Sequence, residues 1–359
     1  MSLIRYGIAS SSAKSGNLEL QHPPKKILVI KPSALGDIIH GLPFLNAIRK
    51  CFPHTEIHWV LARPFAELLE GHPLLDKLWV IDKDKWKGLS NLKKTASEMI
   101  ALFRGLKSEK FDIAVDLQGL LRSGIIAYAS GAKIRIGLKG FKEAREGSRF
   151  FHTHRVATGG KLIHAVDRYL RVAEFLGCDV SDVEFPLVEG TDYAIPVSAP
   201  YAVLVPGARW QAKKWAPERF GELAKMLHKE IGFMSVIVGT KADEEEAKKI
   251  VSASGGAALS LAGKTTLREL IGIIKKSDIV ISTDSGPMHI AAALGKPVFA
   301  LFGTTSPART GPYGKTSTVI TADLPCSPCF KKKCGAEEAA CMDAITPKMV
   351  YNAIMERLK

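Results

Sequence analysis

The sequence predicts an α/β protein of two doubly wound parallel-sheet units in tandem. Three observations carry that prediction. Short apolar runs bounded by charge or glycine alternate with segments of helical period. The alternation lapses over an acidic stretch at 179–200 that holds Pro186, Pro196 and Pro200, and then restarts. The chemically unusual residues fall just after the apolar runs, where open α/β sheets bind ligands. Strands alternating with helices imply a mostly parallel sheet covered on both faces, and 359 residues suit two domains at roughly 100–200 residues each.

The elements follow in order. After a Ser-rich leader over 1–24, KKILVIK begins at Lys25 as a buried strand. In PSALGDIIHGLPFLNAIRK, Ile38, Ile39, Leu42, Leu45 and Ile48 fall near helical spacing. TEIHWVL is a strand, Phe65–Leu69 a short helical segment and LWVI a strand. Residues 91–106 are helical, FDIAVDL is a strand, GLLRSGIIAYASG a helix, KIRIG a short strand and Leu162–Leu176 a helix. These make a first domain over 25–180, followed by a linker over 181–200 that reads as a hinge. The second domain, 201–346, opens with strand YAVLVPG, helix Pro217–Ile231, strand SVIVG and helix Asp243–Ser252. A short strand near Leu259–Leu261, helix Leu267–Lys275, strand DIVIST, helix Gly286–Leu294 and strand PVFALFG complete it. Pro347 starts a last helix, within 347–359, expected to pack back on the first domain.

With 50 Lys+Arg against 36 Asp+Glu, the net charge is +14. That excess points to an anionic partner: nucleic acid, phosphorylated sugar or acidic lipid. No stretch approaches the ~18 consecutive apolar residues of a membrane span, since Lys296 and Pro297 interrupt the longest candidate. Residues 1–24 lack the apolar core and cleavage site of a secretory signal. Six cysteines are too sparse for a disulfide scaffold and suit a reducing cytoplasm. Four of them, Cys326, Cys329, Cys334 and Cys341, form C-x2-C-x4-C-x6-C, which could hold a structural Zn2+ or stand as plain thiols.

Four loops carry candidate chemistry. In KPSALGD (31–37), Asp37 stands at a helix start, where a carboxylate can act as a base or merely complement the helix dipole. In STDSGPMHIAAALGKP (282–297), Asp284 and Ser285 end a strand and Gly286 opens a helix whose freed amides suit phosphate, with His289 on the first turn. PGARWQAKKW (206–215) clusters Arg209, Lys213 and Lys214 after the second domain's first strand. DLQGLLRSG (116–124) leads to a basic stretch carrying Arg135, Lys139, Lys142, Arg145, Arg149 and Arg155. Neither a GxGxxG fingerprint nor a Walker A loop is present, because LAGKTT has Ala258 where the earlier glycine belongs. That argues against a nicotinamide oxidoreductase. The division of labour is that of group transfer from a nucleotide-activated donor, with diphosphate cradles behind and a carboxylate and basic acceptor surface in front.

The segments KILVIKPSALGDIIHGLP, FDIAVDLQGLLRSG, LAGKTTLRELIGII, TDSGPMHIAAALGKPVFALFGTTSP and CSPCFKKKC resemble glycosyltransferase family 9, from about Lys25 to the C-terminus. Within it they look like the ADP-heptose:lipopolysaccharide heptosyltransferases, and AREGSRFFHTHRVATGGKLIHAVDRYLRVAEFLG is most similar to heptosyltransferase I, which acts on the Kdo end of lipid A. The resemblance implies a GT-B fold of two Rossmann-like domains facing a cleft, with acceptor in the first and nucleotide sugar in the second. It also implies inverting, single-displacement transfer from ADP-heptose that needs no metal or other cofactor for the chemistry. Carried onto this sequence, Asp37 matches the general base and Lys213 the lysine that neutralises the donor phosphates. Asp284, Ser285, Gly286 and His289 match the nucleotide-holding segment. Glu244 in KADEEEAKK is the nucleotide-side carboxylate, with Asp243 and Glu245 competing for that role. One departure stands out. Heptosyltransferase I has paired threonines where this chain has Ala208 and Arg209, and PGA resembles heptosyltransferase II, which assigns Arg209 to the phosphates. The implied partners are the nucleotide sugar, a Kdo-lipid A acceptor and the anionic inner face of the cytoplasmic membrane. The competing reading of another class is a basic nucleic-acid-binding α/β protein. Its charges, however, sit in strand-to-helix loops without a recognised nucleic-acid motif.

Overall fold

A computed structural model describes residues 17–82, 92–140, 147–160, 162–197, 200–322, 324–334 and 340–359. The chain divides into two compact units, with the boundary between Val188 and Glu189. The first holds β1 (Lys26–Ile30), α1 (Leu35–Ile39), α2 (Leu42–Cys51), β2 (Glu56–Ala62), β3 (Lys77–Ile81), α3 (Leu92–Ser108), β4 (Ile113–Asp116), α4 (Leu121–Ala129), β5 (Ile134–Lys139), β6 (His154–Ala157) and α5 (Ala165–Phe175). Its strands run parallel in the order β3-β2-β1-β4-β5-β6.

The second unit holds β7 (Tyr201–Val205), α6 (Pro217–Ile231), β8 (Met234–Ile237), α7 (Glu244–Ala253), β9 (Ala258–Ser260), α8 (Leu267–Lys276), β10 (Ile279–Thr283) and α9 (Gly286–Ala293). It closes with β11 (Val298–Phe302), α10 (Pro307–Thr310), β12 (Ser317–Thr321), α11 (Ala340–Asp343) and α12 (Pro347–Leu358). Its strands are also parallel, in the order β12-β11-β10-β7-β8-β9. Two doubly wound, Rossmann-like sheets are therefore observed, as the alternation predicts.

The central strands are apolar end to end because helices cover both faces of each sheet. Every residue of β7 and β10 is buried. In the second unit Trp215, Phe220, Ile281 and Phe299 share one core, and the Trp215 indole N–H donates to the Ile345 carbonyl at 2.8 Å. Local signals set helix ends. Thr266 caps α8 through its hydroxyl to the Glu269 amide at 3.2 Å, while Glu269 returns a carboxylate to the Thr266 amide at 2.7 Å.

The structure departs from the sequence reading in several places. The terminal helix α12 packs within the second unit: Val350, Ala353 and Ile354 join the core that contains Phe220 and Phe299. Two strands escape the alternation, β6 and β12. Both lie at sheet edges, where only one neighbour pairs and polar residues are tolerated. Residues 1–16 of the leader lie outside the described residues; within the rest, the Leu18 amide donates to the Phe175 carbonyl at 2.8 Å. The linker is anchored at both ends. Glu184 accepts from Asn46 at 2.9 Å and the Pro186 carbonyl meets His72 at 2.7 Å. Beyond the boundary, Thr191 donates to the Arg268 carbonyl at 3.1 Å and Asp192 pairs with Lys276 at 2.7 Å. Among the cysteines, Cys51 and Cys178 form a disulfide with Cα atoms 5.4 Å apart, which the reading of a chain suited to a reducing cytoplasm does not anticipate. The pairing joins residues 127 apart, which spacing alone does not reveal.

Glu56, His58 and Glu109 are the described side chains whose potential metal-ligand atoms gather within 4.8 Å of one another; the clustered thiols at 326–341 do not gather so among the described residues. Lysines already occupy the carboxylates. Lys26 reaches Glu56 at 2.7 Å and Glu109 at 3.0 Å, and Lys77 reaches Glu109 at 2.5 Å. Bonds from Lys77 and Lys26 hold the Glu109 carboxyl down to about 2. A depressed carboxyl contributes stability above its unfolded value, and that contribution fades as pH falls through the folded one. Glu109→Gln should therefore lower Tm at neutral pH. The gap to wild type should close as pH falls from 4.5 towards about 2, as followed by thermal melts across pH.

Candidate active site

Each sheet has one place where successive connections leave in opposite directions, and ligand crevices form there beyond the carboxyl ends of the strands. In the first unit that place lies between β1 and β4; in the second it lies between β7 and β10. The loops singled out in the sequence stand at those two positions.

At the first, Asp37 occupies the third position of α1. Its Oδ2 accepts from the Ala34 amide at 3.2 Å, which aims the carboxylate back over the loop. Its side chain is 30% exposed, open enough to meet a substrate, while the Lys31 ammonium beneath it is 2% exposed and 3.8 Å from Oδ1. Lys31 also lies 5.2 Å from the centre of the Tyr169 ring. Burial by itself would pull the ammonium's pKa down, but Asp37 and Tyr169 outweigh it and the pKa ends above its ordinary value. A buried cation therefore sits under the candidate base.

The neighbouring loop, after β4, is fixed by Asp116, which is fully buried. Its Oδ1 accepts from the Gln118 and Gly119 amides, both at 2.9 Å, and its Oδ2 from the Ser123 hydroxyl at 2.9 Å. His152 Nε2 lies 3.1 Å from the same Oδ2, and its ring packs where a Cβ on Gly137 would overlap it. Gln118 then accepts from the Ser33 amide at 3.3 Å, tying the β4 loop to the loop that carries Asp37.

In the second unit the loops after β7 and β10 meet. Lys213 Nζ bonds Asp284 Oδ2 at 2.5 Å, and the Thr305 hydroxyl donates to the same oxygen at 2.6 Å. The Lys213 ammonium also lies 4.7 Å from the centre of the Trp210 ring. The Thr283 hydroxyl reaches back to the Gly207 carbonyl at 3.1 Å. Directly after Asp284, Ser285 is the N-cap residue of α9, and Gly286 and Pro287 form its first positions with no side chain closing the cap. Amides at such an end are free to bind an anion. His289 is buried in that first turn.

Of the predicted residues, Lys213 and Asp284 are in direct contact, with Ser285, Gly286 and His289 continuing from Asp284 along the chain. Arg209 is exposed on the β7 loop and makes no ion pair with any described residue. Glu244 opens α7 with Oε1 lying over Gly263, where φ is +72° and a Cβ would crowd the carboxylate. Its competitors are engaged elsewhere. Asp243 accepts from the Thr240 amide and hydroxyl at 2.7 Å each, and Glu245 pairs with Lys248 at 2.6 Å. Lys214 pairs with Glu246. Asp37 belongs to the first unit and the others to the second. Lys142 and Arg145 of the basic stretch lie outside the described residues. The sequence reading missed Lys31, Thr305 and Asp116. A lysine closing an apolar strand and a TT pair after β11 were the visible signals.

Two parallel six-stranded sheets, each flanked by helices, with a partly exposed carboxylate at the switch point of one unit and a lysine–aspartate pair at a glycine-opened helix in the other, have the architecture of the GT-B class. The family model for glycosyltransferase family 9 (heptosyltransferase) matches residues 99–340. The chain belongs to that family, and is a glycosyltransferase. It is 30% identical over 326 residues to lipopolysaccharide heptosyltransferase 1 of Pseudomonas aeruginosa, covering 86% of this chain and 87% of that protein. It is 29% identical over 305 residues to the lipopolysaccharide core heptosyltransferase OpsX of Haemophilus influenzae, covering 83% and 84%. Among solved structures, a family 9 glycosyltransferase from Veillonella parvula superposes with a TM-score of 0.75 at 27% identity, over 93% of this chain and 97% of that one. The Escherichia coli heptosyltransferase WaaC, solved with ADP-2-deoxy-2-fluoro heptose, superposes with a TM-score of 0.74 at 24% identity, over 92% and 99%.

Proposed function

We propose that this enzyme transfers heptose from ADP-heptose to the Kdo-containing inner core of lipopolysaccharide, at the inner face of the cytoplasmic membrane. The observation that carries the reading is the convergence of the β7 and β10 loops, where Lys213 meets Asp284 beside the open end of α9. That arrangement suits a diphosphate, and relatives spanning most of this chain are named lipopolysaccharide heptosyltransferases. The second unit thus takes the nucleotide sugar and the first takes the acceptor. No described helix is long and apolar enough to cross a membrane, and the reading takes association with the bilayer as peripheral because the acceptor it assigns is lipid-borne. The +14 charge is assigned to the acidic acceptor and lipid phosphates in preference to nucleic acid.

In this mechanism Asp37 removes the proton from the acceptor hydroxyl as its oxygen attacks the anomeric carbon. The new C–O bond forms on the face opposite the departing ADP, which inverts the centre. The bond from that carbon to the β-phosphate oxygen breaks, and ADP leaves with the electron pair. Lys213, the α9 amides and Arg209 meet the charge that grows on the diphosphate. Ser285 and His289 line the same helix opening, and Glu244 takes the nucleoside side. Asp284, which also accepts from the Thr305 hydroxyl, holds the Lys213 ammonium in place.

The test is release of ADP from ADP-heptose with and without Kdo2-lipid A. Acceptor-dependent release with a glycosylated lipid product is expected. Release from another nucleotide sugar in preference, or no dependence on the acceptor, would refute the assignment. A second expectation concerns Lys31. A cation under a carboxylate favours its ionised form, so Lys31→Met should move the acid limb of the pH–kcat profile to higher pH. A limb that stays put would uncouple Lys31 from the base.

A further inference from the structure

Eight large apolar side chains are notably exposed among the described residues, and five of them belong to the first unit: Ile100, Leu121, Tyr128, Phe150 and Leu162. Four of these five sit on neighbouring elements. The connections β3-α3-β4 and β4-α4-β5 step across the sheet in the same direction, and right-handed crossovers put both helices on one face. Helices α3 and α4 accordingly pack side by side, leaving a depression of about 120 Å3 between Met99, Phe103 and Ile125, with Arg122 at its edge. The short 3-10 turn over Ser148–Phe151 lies against α4, with the rings of Tyr128 and Phe151 6.0 Å apart.

The outward stripe of α4 runs Leu121, Ile125, Tyr128, a helical spacing that is apolar where a solvated helix would be polar. Exposure is extreme at two aromatics of this face, Tyr128 on α4 at 62% and Phe150 on the 148–151 turn at 76%. Each carries a guanidinium on its ring, Arg135 at 5.5 Å from Tyr128 and Arg149 at 4.8 Å from Phe150. The depression is too small for a sugar nucleotide, since small-molecule pockets run to roughly 300–1,000 Å3. Apolar and aromatic tips flanked by arginines match the boundary between lipid headgroups and acyl chains, where rings enter shallowly and guanidinium groups meet phosphate.

We propose that the face formed by α3, α4 and the 148–151 turn docks the enzyme on an anionic lipid bilayer. Ile100, Leu121, Tyr128 and Phe150 enter the headgroup boundary, and Arg122 and Arg149 engage lipid phosphates. The proposal rests on the reading that the acceptor is lipid-borne, and it names the surface that brings the acceptor-binding unit to the membrane.

The experiment is co-sedimentation of the full chain with vesicles of phosphatidylglycerol and phosphatidylethanolamine, against vesicles of phosphatidylcholine alone. Wild type should sediment with the anionic vesicles, less so as salt rises, and hardly with the neutral ones. The double variant Tyr128→Ser with Phe150→Ser should lose roughly tenfold in partitioning, with an unchanged melting curve because both rings are exposed. Arg149→Glu should weaken binding to anionic vesicles alone. On a water-soluble deacylated acceptor the double variant should turn over within about twofold of wild type, while on vesicle-embedded acceptor it should fall roughly tenfold, following its partitioning. Failure of wild type to bind anionic vesicles would overturn the proposal, as would a double variant that sediments like wild type. A wild-type dimer that the double variant converts to monomer would also overturn it, by showing that a second copy covers this face. Wild type inactive on every acceptor would refute the transfer reading, leaving the vesicle arm to judge the surface independently.

Discussion

Asp37→Asn is expected to lower kcat for heptose transfer by about 10³-fold, within the range that a positioned general base contributes. Asparagine keeps the shape of the side chain and can still accept from the Ala34 amide as Asp37 does at 3.2 Å. It cannot take a proton. The loop should therefore hold its form while the acceptor hydroxyl loses its base. Affinity for ADP should stay within about twofold, because the loops assigned to the nucleotide belong to the second unit and general-base catalysis acts on the acceptor. Steady-state ADP release and calorimetric titration of ADP separate the two. A variant that turns over normally would remove Asp37 from the mechanism, and one that loses ADP binding would move it to the donor side.

Lys213→Met should fail differently. It removes the cation paired with Asp284, the residue just before the α9 cap, so kcat should fall about 10²–10³-fold, the loss typical of one group that stabilises a charged leaving oxygen. Unlike Asp37→Asn, it should also weaken ADP binding, by about tenfold for a lost charge-assisted contact. A structural cost comes with it. Asp284 is 8% exposed and Lys213 16%, and removing one partner leaves a largely buried carboxylate supported by Thr305 alone. That should cost about 3 kcal/mol, or a fall in Tm of roughly 6–12 °C for a unit of this size. Lys213→Arg should recover most of the stability and only part of the rate, since a planar fork does not reproduce a compact ammonium.

Much of this fold was legible because its central strands are covered on both faces. YAVLV, IVIST and VFALF read as continuous apolar runs, and each occupies an interior position of the second sheet. The same logic hid β6 and β12. HRVA and STVIT are edge strands, and their polar residues carry no burial signature. Of the site, what lies on one loop was readable: Asp37 at a helix start, and the DSG turn at a glycine-opened helix. What depends on distant partners was not. Asp116 and His152 are 36 residues apart and Lys213 and Asp284 71 apart, so no local pattern announces either pair. Lys31 was overlooked for another reason: a lysine after an apolar strand ordinarily reads as a solvated strand end, whereas here it is 2% exposed under Asp37. The apolar face of α12 says only that the helix is buried, and its place in the second unit's core depends on partners far away in the chain.

The central claim is that the nucleotide diphosphate is held at the second unit's switch point and the proton acceptor at the first. A crystal structure of the enzyme with ADP tests it most directly. The claim predicts the β-phosphate within hydrogen-bond reach of the amides at Ser285–Gly286 and of the Lys213 ammonium, with Asp37 making no contact to the nucleotide. ADP seated instead between β1 and β4, against Asp37 and Gln118, would contradict it.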